Sequence, residues 1–189
     1  LSEDIVKSKH LKNKDLLARI SYLIGISHDF AKSTTFFQKG LDNREERTEK
    51  AHHGFLSSLL GYCLVRKYLL ETGKLADFHQ FPALAWLVIK RHHGNIQNVR
   101  WDAFSSEISA LDKFSRESDN CQGQIEDIAK NNFSEVLNIY KTLIGEFDLK
   151  EFIERVRCFE ELVKGIRKDL VEVCREKNLG YFFNTLFLY

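Results

Sequence analysis

A single proline in 189 residues constrains this chain more than any other feature. Proline ends helices by removing a donor and clashing with the preceding turn. A chain holding only Pro82 and ten glycines therefore has few enforced stops, and its hydrophobic period decides the fold. From Asp15, a plausible N-cap, Leu16, Leu17, Ile20, Leu23 and Ile24 fall at helical spacing. A second helix fits His53 to about Leu70 and stops at Gly73. Pro82 suits a helix N1 position, followed by "ALAWLVIKRHH" and a stop at Gly94. "NFSEVLNIYKTLI", "LKEFIERVRCFEELVKGIRKDLVEVCREK" and "YFFNTLFLY" read as three further helices, and "LDNREERTEK" (41–50) as an exposed loop or solvated helix. Strand signals are weak throughout. The expected fold is all-α, a helical bundle in one domain spanning 1–189.

Composition narrows the function classes. Hydrophobic residues make up 43% and charged residues 29%, as in ordinary globular proteins. No window reaches the roughly 18 to 20 apolar residues that span a bilayer, and no signal peptide opens the chain, so a cytoplasmic location is expected. The net charge of +1 excludes an overwhelmingly basic nucleic-acid binder, but not a local basic patch. Cys63, Cys121, Cys158 and Cys174 lack CxxC spacing and read as buried thiols. The sequence contains no methionine, so an incomplete view of the encoded protein is expected.

The histidines carry the chemistry. Of seven, His28 adjoins Asp29 and His92 adjoins His93, each pair at the C-terminal end of an apolar helix. His52 and His53 open another helix. Helix ends that meet at one end of a bundle can converge imidazoles and a carboxylate on one cavity. Such donors suit Mn, Fe, Co, Ni or Zn, and Mg where more oxygen ligands are present. An aspartate beside a histidine can bridge two ions about 3.5 to 4 Å apart, as two-metal hydrolases require. Each pair alone has an ordinary explanation: chance for His-Asp, a solvated helix start for His52-His53, and dipole complementation for His92-His93. His10 and His79 read as structural or surface residues.

With these residues in place, the chain resembles the HD superfamily of metal-dependent phosphohydrolases, and within it the CRISPR-associated HD nucleases of type I systems. "LIGISHDFAKSTTFFQKGL" is similar to that family's HD segment with its following lysine and Phe-Gln, here Phe37-Gln38. "HGFLSSLL" resembles its His-x-x-x-Ser element and "RHHGN" its His-His-Gly element. The resemblance implies an HD-domain bundle with His28, Asp29, His53, His92 and His93 as ligands of one or two divalent metal ions. It makes Asp29 and Lys32 the catalytic pair, with Lys32, Ser57 and Asn95 meeting the substrate phosphate. His53 is preferred to His52 because Ser57 lies four residues on.

The implied activity is hydrolysis of single-stranded DNA, with RNA as a further substrate, by endo- or exonucleolytic cutting. The implied partners are a CRISPR helicase, expected as a separate subunit, and a guide-RNA surveillance complex that supplies an unwound or R-loop strand. Near-neutral charge predicts modest intrinsic affinity that salt weakens. Ala31 stands where the family usually has glycine. The family's early histidine has no match at His10. Its late aspartate, which follows a helix like "LFLY", is expected beyond Tyr189, with the terminal segments incomplete. Two alternatives stay open: an HD phosphohydrolase of nucleotides or cyclic dinucleotides, and an inactive HD module that only binds partners. Arg100 and Trp101 could clamp a strand, though a core tryptophan beside a surface arginine is the preferred reading.

Overall fold

The computed structural model describes residues 13–42, 48–92 and 108–175. Among them there is no strand; the chain is an all-α bundle. The helices are α1 (Lys14–Ser27), α2 (Thr35–Asp42), α3 (Gly54–Glu71), α4 (Phe81–Arg91), α5 (Ile108–Asp127), α6 (Phe133–Ile144), α7 (Leu149–Arg157) and α8 (Phe159–Arg175). Short 3-10 turns lie at Phe30–Ser33 and Glu49–Ala51, and a π-helix at Ile128–Asn132 joins α5 to α6. No described helix is long and apolar enough to cross a membrane.

The centre is an antiparallel hairpin of α3 and α4. Its helices bury apolar residues on several faces, among them Leu56, Leu59, Leu60 and Val65 on α3 and Leu84, Leu87 and Ile89 on α4. Small residues let the backbones approach. A Cβ on Gly61 would lie 2.3 Å from Ile89 Cδ1 and 3.5 Å from Ser27 Cβ, so α1, α3 and α4 converge there. A Cβ on Gly54 would lie 3.5 Å from the Lys90 carbonyl oxygen, which sets the start of α3 against the end of α4. Pro82 falls in the first turn of α4 as expected, and Gly73 follows α3 with φ 67°.

The later helices close the core around the end of α1. Phe30 is buried edge-on between Tyr140 of α6 and Phe152 of α7, each with ring centroids 5.4 Å away. Burying one phenylalanine contributes about 1.5–3 kcal/mol. Tyr140 and Tyr22 tie α6 to α1 by donating to the Ile26 and Leu143 carbonyls, each at 2.8 Å.

Three local expectations need correction. Asp15 is not the N-cap of α1; Asn13 occupies that position with left-handed φ 59°, and Asp15 sits in the first turn, where its charge complements the dipole. The long segment from Leu149 is two helices, because Cys158 leaves helical geometry (ψ 46°) while Gln122 of α5 donates to the Val156 and Arg157 carbonyls. Cys158 is exposed at that break, unlike buried Cys121 and half-buried Cys63. The expected helix 181–189, the stop at Gly94, His10, Arg100 and Trp101 lie outside the described residues.

Candidate functional site

The site forms where α1 ends. His28 closes α1 with helical φ and ψ, and Asp29 turns the chain at φ −108° and ψ 7°. The 3-10 turn that follows is anchored by apolar burial: Phe30 and Ala31 enter the core, which leaves Asp29 and Lys32 on the outer side. The Ala31 N–H donates to Ser57 Oγ at 3.1 Å, and Thr34 Oγ1 donates to the Ala31 carbonyl at 2.8 Å. Ser57 has no exposed surface, and its hydroxyl accepts from this turn. Ser57, expected to meet a substrate, here shapes the loop that carries Asp29.

Three elements bring three donor atoms together. One ligand atom each from Asp29, His53 and His92 lies within 4.8 Å of the others. His53 stands at the N-terminus of α3, only 6% exposed, with its ring 5.2 Å from the Phe37 ring in an edge contact. Its Nε2 is 3.8 Å from Asp29 Oδ1. His92 closes α4, with its ring 5.3 Å from that of His53 and 5.5 Å from that of His28. The Ile89 carbonyl faces His92 Nδ1, and the Gly25 carbonyl faces His28 Nδ1. A carbonyl only accepts, so Nδ1 is the donor of each ring toward the backbone and Nε2 is the atom turned to the cluster.

Lys32 Nζ lies 2.7 Å from Asp29 Oδ1, and His28 Nε2 lies 3.2 Å from Asp29 Oδ2. Asp29 Oδ1 is shielded from solvent, with the Lys32 ammonium as its close cationic neighbour. Burial pushes the Asp29 carboxyl up, but Lys32, His28 and His53 outweigh it and hold the group below the usual carboxylate range. Asp29 is thus an anion set among the imidazoles of His28, His53 and His92 and the Lys32 ammonium. This donor set fits a borderline divalent cation.

The cluster opens onto a cavity of about 870 Å³ lined by Lys32, Phe37 and His53 on the cluster side. His52, beside the cluster, is exposed, and its carbonyl accepts from Gln124 Nε2 at 3.0 Å. Gln124 also donates to the Lys50 carbonyl at 2.7 Å and so fixes the loop before His53. His79 is partly buried in the connector between α3 and α4, away from the cluster, with Nδ1 3.3 Å from the Ala76 carbonyl. His93 and Asn95 lie outside the described residues.

Sequence reasoning missed the clasp on the outer turn. Asp127, at the end of α5, accepts from Thr35 N at 2.6 Å, Thr35 Oγ1 at 2.7 Å and Asn131 Nδ2 at 2.7 Å. Asn132 donates to the Ser33 carbonyl at 2.6 Å, and Gln38 to the Lys32 carbonyl at 2.7 Å. Asp127 and Asn131 meet at the ordinary helical spacing of four residues, and the π-helix brings Asn132, five residues from Asp127, to the same outer turn. "EDIAKNN" has no periodic signature that could have shown this.

Comparison of the chain with family models, with curated proteins and with solved structures returns no match.

Proposed function

We propose that this chain is a metal-dependent HD-type nuclease that hydrolyses phosphodiester bonds of single-stranded nucleic acid, DNA above all. The observation that carries the reading is the convergence of Asp29, His53 and His92 donor atoms within 4.8 Å, with Lys32 beside them. The site takes one or two of Mn, Ni, Co, Fe, Mg or Zn, with His28 as a further donor on the outer side of Asp29. A divalent cation held there supplies the Lewis acidity that makes a hydroxide nucleophile accessible near neutral pH.

This chain's own groups do the rest. Asp29 stays anionic at neutral pH, so it can hold a cation without first losing a proton. The Ile89 carbonyl fixes the tautomer of His92, and the edge of Phe37 fixes the ring of His53. Lys32, 5.7 Å from the Phe37 ring centroid, can pass from Asp29 to an entering phosphate and offset charge that develops on its oxygens. A helicase and a guide-RNA surveillance complex are the proposed suppliers of unwound strand, which raises local substrate concentration for a chain of net charge +1.

The test is incubation of metal-stripped protein with circular single-stranded DNA and Mn²⁺, Ni²⁺, Mg²⁺ or no metal, beside His53→Ala and Asp29→Asn variants. Metal-dependent cutting of the circle, lost in both variants, is expected. Hydrolysis of deoxynucleotides or cyclic dinucleotides, with the circle intact, would move the chain to a nucleotide phosphohydrolase. Absence of metal binding by calorimetry would leave only a binding module.

A further inference from the structure

The cavity beside the cluster, about 870 Å³, is far larger than one phosphate requires and falls in the upper part of the roughly 300–1,000 Å³ range of small-ligand sites. Four cations line it, Lys32, Lys90, Arg91 and Arg116, against the carboxylates Glu49 and Glu117. This surplus of two positive charges exceeds the net +1 of the whole chain, so positive charge is concentrated on this wall. Lys32 belongs to the cluster side; Lys90 and Arg91 stand on the last turn of α4, and Arg116 on α5.

Lys90 is held in place by aromatic faces. Its ammonium lies 4.4 Å from the Trp86 ring centroid and 5.0 Å from that of Phe55. A cation seated in this way loses little freedom when an anion arrives. Arg116 is exposed and brings a planar fork suited to phosphate oxygens. Complementing the dipole of α4 would explain cations at positions 90 and 91. It explains neither Arg116 on another helix nor a wall continuous with the metal cluster.

We propose that Lys90 and Arg116 form a second phosphate subsite beside the one at Lys32, so that the site grips a chain carrying at least two phosphates in preference to a mononucleotide. The identity of the anion rests on the phosphodiester reading above. In this arrangement the cluster and Lys32 receive the phosphate to be cut. Lys90 and Arg116 hold a neighbouring phosphate of the same strand and set its register.

Binding of fluorescein-labelled oligothymidylates of one, two, four and eight nucleotides, followed by anisotropy in EDTA so that no hydrolysis intervenes, tests the subsite. Affinity should rise by about tenfold or more from one nucleotide to four, as added phosphate contacts release counterions. Arg116→Gln and Lys90→Gln should each weaken octamer binding by at least about threefold and lower the slope of log affinity against log salt by about 0.7. Arg116→Gln changes an exposed side chain, so a folded variant is expected, and an unchanged melting temperature would verify it. Equal affinity for mononucleotide and octamer, or unchanged slopes in both variants, would overturn the subsite. Competition by polyglutamate as strong as that by tripolyphosphate would overturn the phosphate assignment. Length-dependent binding without any metal-dependent cutting would remove the hydrolase reading and leave the subsite standing.

Discussion

Asp127 should be among the most costly polar side chains to remove, although it lies outside the metal cluster. Its carboxylate accepts the Thr35 N–H and hydroxyl and the Asn131 amide, at 2.6 to 2.7 Å, and is only 8% exposed. Hydrogen bonds to charged groups contribute about 1.5–3 kcal/mol each, and three on one carboxylate are not additive. The anion also faces the N-terminus of α2, worth a further ~0.3–1 kcal/mol. Thr35 is half-buried, so water can partly replace the lost acceptor. Asp127→Ala should therefore cost about 3 kcal/mol, or roughly 6–12 °C in melting temperature for a chain of this length. Asp148→Ala is the comparison, since that exposed N-cap accepts from Glu151 N at 2.9 Å and should cost only about 1 kcal/mol. Thermal melts of both variants by circular dichroism decide it. A loss for Asp127→Ala no larger than for Asp148→Ala would refute the idea that this carboxylate clasps the turn. Because the same turn carries Asp29 and Lys32, metal affinity by calorimetry should fall in the Asp127 variant and not in the Asp148 variant.

Burial, with Asp169 beside Tyr62 and Asp29 near Tyr140, holds both phenols above their ordinary range. Both stay protonated in the fold while the unfolded chain ionises near pH ~10, so their stabilisation is complete below that pH and declines as pH rises past it. Melts between pH 8 and 11 should show this decline, and Tyr62→Phe should flatten it; a melting temperature independent of pH would contradict it. Burial also pushes the Cys63 thiol up to about 12 and raises that of Cys121. At pH 8 the Cys63 thiolate fraction is roughly 10⁻⁴, so iodoacetamide should modify exposed Cys158 well before Cys63 or Cys121, as read by peptide mass mapping. Rapid modification of Cys63 in folded protein would show that its environment is more open than the structure has it.

The sequence carried the helices whose apolar period is strong and whose ends bear marked residues. Pro82 and Gly73 bound α4 and α3 for reasons visible in one dimension, a missing donor and a left-handed φ. The paired histidines at helix ends were legible for the same reason: residues that are costly to bury stand out at the edge of an apolar run. What the sequence could not show is how its elements hold one another. Cys158 breaks a continuous helical pattern because Gln122, on another helix, takes the carbonyls there. The resemblance made Ser57 a substrate contact, and nothing in it showed that the bundle would place the Ala31 N–H against its hydroxyl. α5 is polar on average and was not anticipated, so Gln124 and Asp127, which steady both approaches to the cluster, were not singled out.

The α3–α4 hairpin gives the molecule two poles of different tolerance. His53 and His92 sit at its open end, whereas residues 72–80 close the other, at least ~16 Å away, the length of the shorter helix. Leu70, Thr72, Gly73 and Lys74 are exposed there. Extra residues, a fluorophore or an affinity tag inserted in that connector would lengthen the chain without altering the separation of the two histidines. The connector is thus a place where the protein can be tethered to a surface or a reporter while the metal-binding end faces outward.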